Sequence, residues 1–203
     1  MLISKQNPLV LASASPRRRE LLELAGVPLQ VRESRIAEEA VPGETAEDFT
    51  RRIARHKAES VAAACEAGRF VLGADTTVVL DGEVLQKPGD EAEAKAMLRR
   101  LSGRSHRVLT AVCVLGSGSS ERGELLESSE VTFRELSDTM IAGYVATGEP
   151  MDKAGAYGIQ GRAAMLVRSV RGSYTNVVGL PLCETMMLLE RLGAFRPFSG
   201  SDS

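Results

Sequence analysis

Two serines and three consecutive arginines crowd into Leu9–Leu24, LVLASASPRRRELLEL, where a short apolar run gives way to a predicted helix. Ser15 suits the cap of that helix and Pro16 its first position, where a missing N–H costs nothing. Ser13, Arg17 and Arg18 then stand beside the free N–H groups and the positive dipole end, a cradle for phosphate. The same residues also suit an ordinary capped helix with a solvated basic start. Asp75 follows the predicted buried strand Phe70–Gly73. A carboxylate at a strand end is desolvated unless it meets a metal, a cation or a reacting water, or caps the next turn through its own backbone. Lys87 is held in extended backbone by Pro88, and a predicted hairpin aims it at the same edge as Asp75. The loop pair Glu38-Glu39 offers a second carboxylate, and Lys57 a further cation. Arg17, Arg18, Lys57 and Lys87 set against Asp75 and a carboxylate of the Glu38-Glu39 pair suit metal-assisted attack on a phosphoanhydride. The carboxylates supply the hard oxygen ligands that Mg²⁺ takes beside phosphates, and the cations neutralise the other phosphate oxygens.

The elements that must position these groups follow from capping and periodicity. Val10-Leu11 reads as a buried strand, and Leu21, Leu22, Leu24 and Ala25 as the apolar face of the first helix. Thr45 and Asp48 form a capping box for a long helix with Phe49, Ile53, Val61 and Cys65 at helical spacing, ending near Gly68 and carrying Arg55 and Lys57. Thr77–Leu80 is expected to pair with Glu83–Gln86 across Asp81-Gly82, a two-residue turn. Asp90 and Glu93 cap a helix through Leu101, with Met97, Leu98 and Leu101 inward. Strands over His106–Leu115 and Leu125–Arg134 flank GSGSSERG, which no helix follows and which is therefore a hairpin connection, not a nucleotide loop. Ser137 caps a helix ending at Gly148, Gly148–Gly161 is expected as a loop and Ala163–Val170 as a strand. Pro181 opens a last helix to about Leu192. Residues 1–195 are expected as one domain of two lobes, without a repeat or clear linker, and 196–203 as a flexible tail.

Composition removes several classes of function. The chain has 25 basic against 27 acidic residues, a formal charge of −2, so no global attraction to nucleic acid or anionic membrane is expected. No apolar run approaches the roughly 20 residues of a membrane span. The opening MLISKQNPLVLASAS mimics a signal peptide, but its apolar part is only about seven residues and Arg17–Arg19 follow at once. Cys65, Cys113 and Cys183 are widely spaced, which suggests neither a disulfide framework nor a thiolate metal site and makes the cytoplasm the default. With only His56 and His106, a histidine-ligated zinc site is not expected. There is no G-x-x-x-x-G-K-[ST], and no histidine close in sequence to Ser13 or Ser15 to activate a nucleophile.

Six motifs in order carry a resemblance: LASASPRRRELL at Leu11–Leu22, RHKA at Arg55–Ala58, GADT at Gly73–Thr76, LQKP at Leu85–Pro88, LSGRSH at Leu101–His106 and EPMDKAGAYGIQG at Glu149–Gly161. Extended through Gly179-Leu180-Pro181, the chain resembles the Maf family of nucleoside triphosphate pyrophosphatases over about residues 9–192. The resemblance implies an α/β, Maf/ITPase-like fold, with an elongated, bent and twisted mixed sheet flanked by helices and two lobes around a deep nucleotide-binding groove. It also implies hydrolysis of a nucleoside triphosphate to monophosphate and pyrophosphate with Mg²⁺ or Mn²⁺, commonly by a homodimer. The family's proton acceptor falls on Asp75, its phosphate-binding residues on Ser13, Arg17 and Arg18, and its other charged site positions on Glu38, Lys57 and Lys87. Glu38 and Asp75 are the implied metal ligands. Arg17, Thr76 and Gln160 match the specificity positions of the dTTP/UTP subgroup, whereas the subgroup acting on 7-methyl-GTP has a GSDQ-like stretch where this chain has GADT. A side-chain amide such as Gln160 can read the O4/N3–H edge of uracil or thymine. The expected role is house-cleaning of dTTP, UTP and modified pyrimidine triphosphates, with no nucleic-acid or membrane partner. The alternative is a nucleotide-sensing regulator of septum formation or cell division that acts through a partner.

Overall fold

The structure, a computed structural model, describes residues 2–198. In chain order it runs β1 (Leu9–Leu11), α1 (Pro16–Leu24), β2 (Leu29–Val31), α2 (Ala46–Ala62), β3 (Phe70–Leu80), β4 (Glu83–Leu85), α3 (Glu91–Leu101), β5 (Ser105–Gly116), β6 (Arg122–Phe133), α4 (Asp138–Val145), β7 (Val167–Arg171), α5 (Tyr174–Val178) and α6 (Leu182–Arg191). Among the described residues the strands form one seven-stranded mixed sheet in the order β2-β1-β3-β5-β6-β7, with β4 also paired to β3. This is the expected mixed α/β architecture of a sheet flanked by helices. Contacts divide the chain into two compact units. Unit 1 takes the described residues up to Asp75, Ala111–Leu126 and those from Gly179 on; unit 2 takes Thr76–Thr110 and Glu127–Val178. Strands β3, β5 and β6 each contribute a segment to both.

In unit 1, β1 is fully buried between parallel neighbours, with Val10 opposite Gln30 on β2 and Val71 on β3. A continuous apolar run is what a strand so enclosed requires. Helix α2 starts at Thr45, whose hydroxyl accepts from the Asp48 N–H at 3.1 Å and donates to the Asp48 carboxylate at 2.8 Å. Phe49, Ile53, Ala54, Ala58 and Val61 form its buried face. Its backbone lies directly on β3 at Gly73, where a Cβ would stand 2.3 Å from the Ala54 carbonyl oxygen and 2.5 Å from the Ala58 nitrogen. Only glycine admits that approach. Two expectations change here. Helix α2 ends at Ala62, so Cys65 lies beyond it. On α1, Leu21 and Leu22 are buried but Leu24 is 80% exposed, because the third inward position of this short helix is taken by Arg18.

In unit 2, β3 and β4 pair antiparallel, Val78 opposite Leu85, across Asp81 and Gly82, which both have positive φ. That is the two-residue turn expected from the Asp-Gly pair. Asp90 caps α3 and Ser137 caps α4 through their side chains, as expected. His106, Phe133 and Tyr157 form a buried edge-to-face trio with centroids 4.8–5.4 Å apart. Asn176 is fully buried and donates from Nδ2 to the Val108 carbonyl and to Ser129 Oγ, both at 2.9 Å.

Other departures from expectation are local. β3 is one strand of eleven residues, so Asp75 sits inside it and not at its end. The glycine-rich stretch after α4 is partly ordered as 3₁₀ turns at Glu149–Asp152 and Ala154–Ala156. A third turn, Arg162–Met165, takes the residues expected to begin β7. Helix α5 was not expected. Of the expected tail, residues 199–203 lie outside the described residues.

Candidate active site

Three elements of unit 1 bring the expected phosphate and proton-handling residues together. The turn from β1 into α1 carries Ser13 and Arg18, both buried. Ser13 Oγ accepts from Arg18 Nη1 at 3.0 Å and from the Ser15 N–H at 3.2 Å. Arg18 Nε donates to the Gly179 carbonyl at 2.8 Å, so the guanidinium is fixed from two sides. Burial pushes the Arg18 pKa below its ordinary value; nearby Asp75 and Glu38 oppose the shift and Arg17 adds to it. Ser15 occupies the N-cap position without a side-chain capping bond, and Pro16 stands at the first turn as expected. Arg17 is half-buried, and among the described residues it makes no hydrogen bond or ion pair.

Lys57 is delivered to the same unit by α2 and Asp75 by β3. The close approach at Gly73 makes their meeting possible: Lys57 Nζ lies 2.8 Å from Asp75 Oδ1 and 2.7 Å from Glu38 Oε1. Lys57 and Asp75 are buried, while the Glu38 side chain is 44% exposed. One ammonium thus holds two carboxylates, one enclosed and one reaching in from the loop after β2. Of the pair Glu38-Glu39, it is Glu38 whose carboxylate turns inward; Glu39 contributes its backbone carbonyl to Arg52 at 3.0 Å.

The two carboxylates converge on a single cationic point, and their donor set is all oxygen. A hard divalent cation takes one or two carboxylates and completes its shell with waters and phosphate oxygens, so these residues fit such an ion in the presence of a phosphate ligand. Among the described residues no group of three or more His, Cys, Asp or Glu is placed to hold a metal by protein donors alone.

The other expected site residues lie in unit 2. Thr76 is half-buried, with its hydroxyl 3.0 Å from that of Thr110, which donates to the Asn176 carbonyl at 3.0 Å. Lys87 and Gln160 are exposed, and among the described residues neither has a hydrogen-bond partner. Their side chains are available to a ligand. Sequence reasoning gave no role to Gly179, whose carbonyl anchors Arg18, nor to Thr110 and Asn176 behind Thr76. Gly179 stood in the GLP stretch that closed the resemblance; a backbone acceptor more than a hundred residues away leaves no other mark.

Residues 8–192 match the family model described as Maf-like protein. A protein of Geobacter sulfurreducens named dTTP/UTP pyrophosphatase is 56% identical over 92% of this chain and 97% of its own length. Proteins of the same name from Anaeromyxobacter dehalogenans and Yersinia pestis are 54% and 49% identical, over 91% and 95% of this chain and 94% and 96% of their own lengths. The solved Staphylococcus aureus Ham1 protein superposes on 63% of this chain and 72% of its own with a TM-score of 0.45 and 18% identity, a likeness too loose to inform the site.

Proposed function

The chain belongs to the Maf family, and from that premise we propose that it is a nucleoside triphosphate pyrophosphatase, hydrolysing dTTP and UTP to the monophosphates and pyrophosphate. The observation that carries the chemistry is the Glu38–Lys57–Asp75 arrangement in the unit that also holds the Ser13–Arg18 pair. In this reading water attacks the α-phosphorus, its proton passes to the Asp75 carboxylate, and the bond to the β-phosphate bridging oxygen breaks as pyrophosphate leaves. Lys57 keeps Asp75 oriented. Arg18, immobilised by Ser13 and Gly179, and Arg17 beside it stabilise charge on phosphate oxygens, Arg18 at little reorganisation cost. Lys87 adds a further cation for the same purpose. Glu38 and Asp75 would hold a divalent cation, Mg²⁺ or Mn²⁺, which when bound lowers the pKa of coordinated water and polarises phosphoryl oxygens. Thr76 and Arg17 contribute to substrate discrimination, and the Gln160 amide matches the paired acceptor and donor on the uracil or thymine edge. We place the enzyme in the cytoplasm as a homodimer of one-domain protomers with modified pyrimidine triphosphates among its substrates.

The decisive variant is Asp75→Asn, which keeps the shape of the side chain and removes its basicity. The expected result is pyrophosphate release from UTP and dTTP reduced by about 10²–10⁴ with nucleotide binding retained, since general-base assistance is of that size. Wild-type turnover in the variant removes the base assignment. Binding without turnover of any nucleotide by the wild-type protein, with either metal, would favour a sensing role instead.

A further inference from the structure

Among the described residues Gln160 has no hydrogen-bond partner, yet the loop that carries it is pinned on both flanks, and most of the pinning converges on Glu149. Glu149 Oε1 accepts from the Tyr144 hydroxyl at 2.9 Å and, more weakly, from the Ala163 N–H at 3.4 Å. Its other oxygen, Oε2, accepts from the Arg162 N–H at 3.0 Å. The Tyr144 oxygen in turn accepts from the Gly158 N–H at 3.4 Å. One carboxylate therefore reaches the backbone on both sides of Gln160, directly at residues 162 and 163 and through a phenol at 158. Burial, followed by the contact with Glu149, pushes the Tyr144 pKa up, so its hydroxyl stays protonated as a donor at neutral pH. The backbone of Glu149 is held as well, its carbonyl accepting from Lys153 Nζ at 2.8 Å. Steric fit points the same way. A Cβ on Gly161 would stand 2.3 Å from Glu149 Oε1, and one on Gly158 would stand 2.6 Å from Lys153 Cε. Before Gln160, the Tyr157 hydroxyl is fixed to His106 Nε2 at 2.7 Å.

A carboxylate that spends both oxygens on loop donors, next to an exposed amide with no hydrogen-bond partner among the described residues, is a support for presenting that amide. We propose that Glu149 is a positioning residue for nucleobase discrimination, holding residues 158–163 so that the Gln160 amide meets the base edge already ordered. This rests on Gln160 being a base-contact residue. Preorganisation of this kind raises affinity for the matching base by removing the cost of ordering the loop upon binding. It therefore acts on the preference for UTP over CTP and on KM more than on kcat.

The test compares pyrophosphate release from UTP and CTP by the wild type, Glu149→Ala, Glu149→Gln, Gly161→Ala, Gln160→Ala and the Glu149→Ala/Gln160→Ala double variant. Amide hydrogen exchange at residues 158–163 is followed in the same proteins. Glu149→Ala is expected to lower the UTP-over-CTP ratio of kcat/KM about tenfold, mainly through KM for UTP, and to speed exchange at Arg162 and Ala163 about tenfold, the size of one lost charge-assisted hydrogen bond. Glu149→Gln, which keeps one neutral acceptor and the side-chain shape, should fall between, and guards against misfolding of the alanine variant. Gly161→Ala should reproduce the loss by displacing the carboxylate. The double variant should discriminate no worse than Gln160→Ala alone. Equal losses on both nucleotides with the ratio intact in Glu149→Ala, while Gln160→Ala collapses it, would overturn the positioning role and leave the base contact standing. A ratio unchanged in Gln160→Ala would remove the base-contact reading itself, whatever exchange shows.

Discussion

His106 is buried against Phe133 and Tyr157, and burial pushes its pKa down from 6.5 to about 4. Between those values the unfolded chain binds a proton that the folded chain refuses, so stability falls as pH drops from 6.5 towards 4 and levels off below. The full loss is about 3 kcal/mol. Glu44 and Asp81 are held below the usual carboxylate range by hydrogen bonds from Arg52 and Arg104. At Glu124, burial pushes upward but Arg55 and Arg122 outweigh it. Their stabilising contributions are present above the ordinary carboxyl pKa near 4 and are lost only below it, a lower window. Denaturant unfolding from pH 7 to 4.5 should therefore show a steeper decline for the wild type than for His106→Gln, and parallel curves would show that His106 is not the cause. At this scale the sequence was informative about residue identity and less so about surroundings. Ser13, Arg18, Lys57 and Asp75 were all legible, because polar and charged groups beside buried runs and within ordered motifs are conspicuous. That Arg18 is enclosed and tied to a carbonyl was not, because backbone acceptors are the same at every residue.

Helix α2 and strand β3 show how an element contact sets a chemical one. The backbone-to-backbone approach at Gly73 leaves no space for a methyl group, and neither Ala54 O nor Ala58 N can swing aside as a side chain would. Gly73→Ala should destabilise the fold by about 3 kcal/mol, at the upper end of overpacking costs, and pull Lys57 away from Asp75. Urea unfolding and UTP turnover should both decline; a variant with wild-type values for both would show that α2 yields without consequence. The capping residues Thr45, Asp90 and Ser137 made the helices they open readable, since a side-chain acceptor followed by apolar spacing is a local signal. Helix α5 was unreadable because five residues are too few to show a period, and β7 starts later than expected because Arg162–Met165 closes as a turn around the Glu149 carboxylate. The continuity of β3 through Asp75 was obscured by its own polar residues, Asp75, Thr76 and Thr77, which interrupt the apolar run that marks a buried strand.

Across the whole molecule, the chain passes between its two units at residues 75/76, 110/111, 126/127 and 178/179. Three of these passages fall within strands β3, β5 and β6, which is why no glycine- or proline-rich linker was visible in the sequence. Unit 1 is completed only by the segment from Gly179 onward, which brings Leu180, Leu188 and Leu189, each at most 1% exposed, into its core. Each such side chain contributes about 1.5–3 kcal/mol, so losing all three removes much of the 5–15 kcal/mol by which domains are stable. A chain ending at Val178 should therefore lack a cooperative unfolding transition by circular dichroism. A sharp transition at the full-length midpoint would show that unit 1 stands without its last segment.

The acceptor that holds Arg18 is supplied by the main chain at Gly179, where φ is +131°. A carbonyl oxygen is present whatever the codon specifies, so no point mutation at 179 can delete this anchor in the way that a mutation at Ser13 deletes the other. What a mutation can change is where the oxygen points, since L side chains rarely adopt that backbone conformation. A saturation library at position 179 should consequently split between glycine and everything else, with no ranking by polarity or size among the rest. One half of the arginine's support is thus inherited as a backbone shape, and the other half as a hydroxyl.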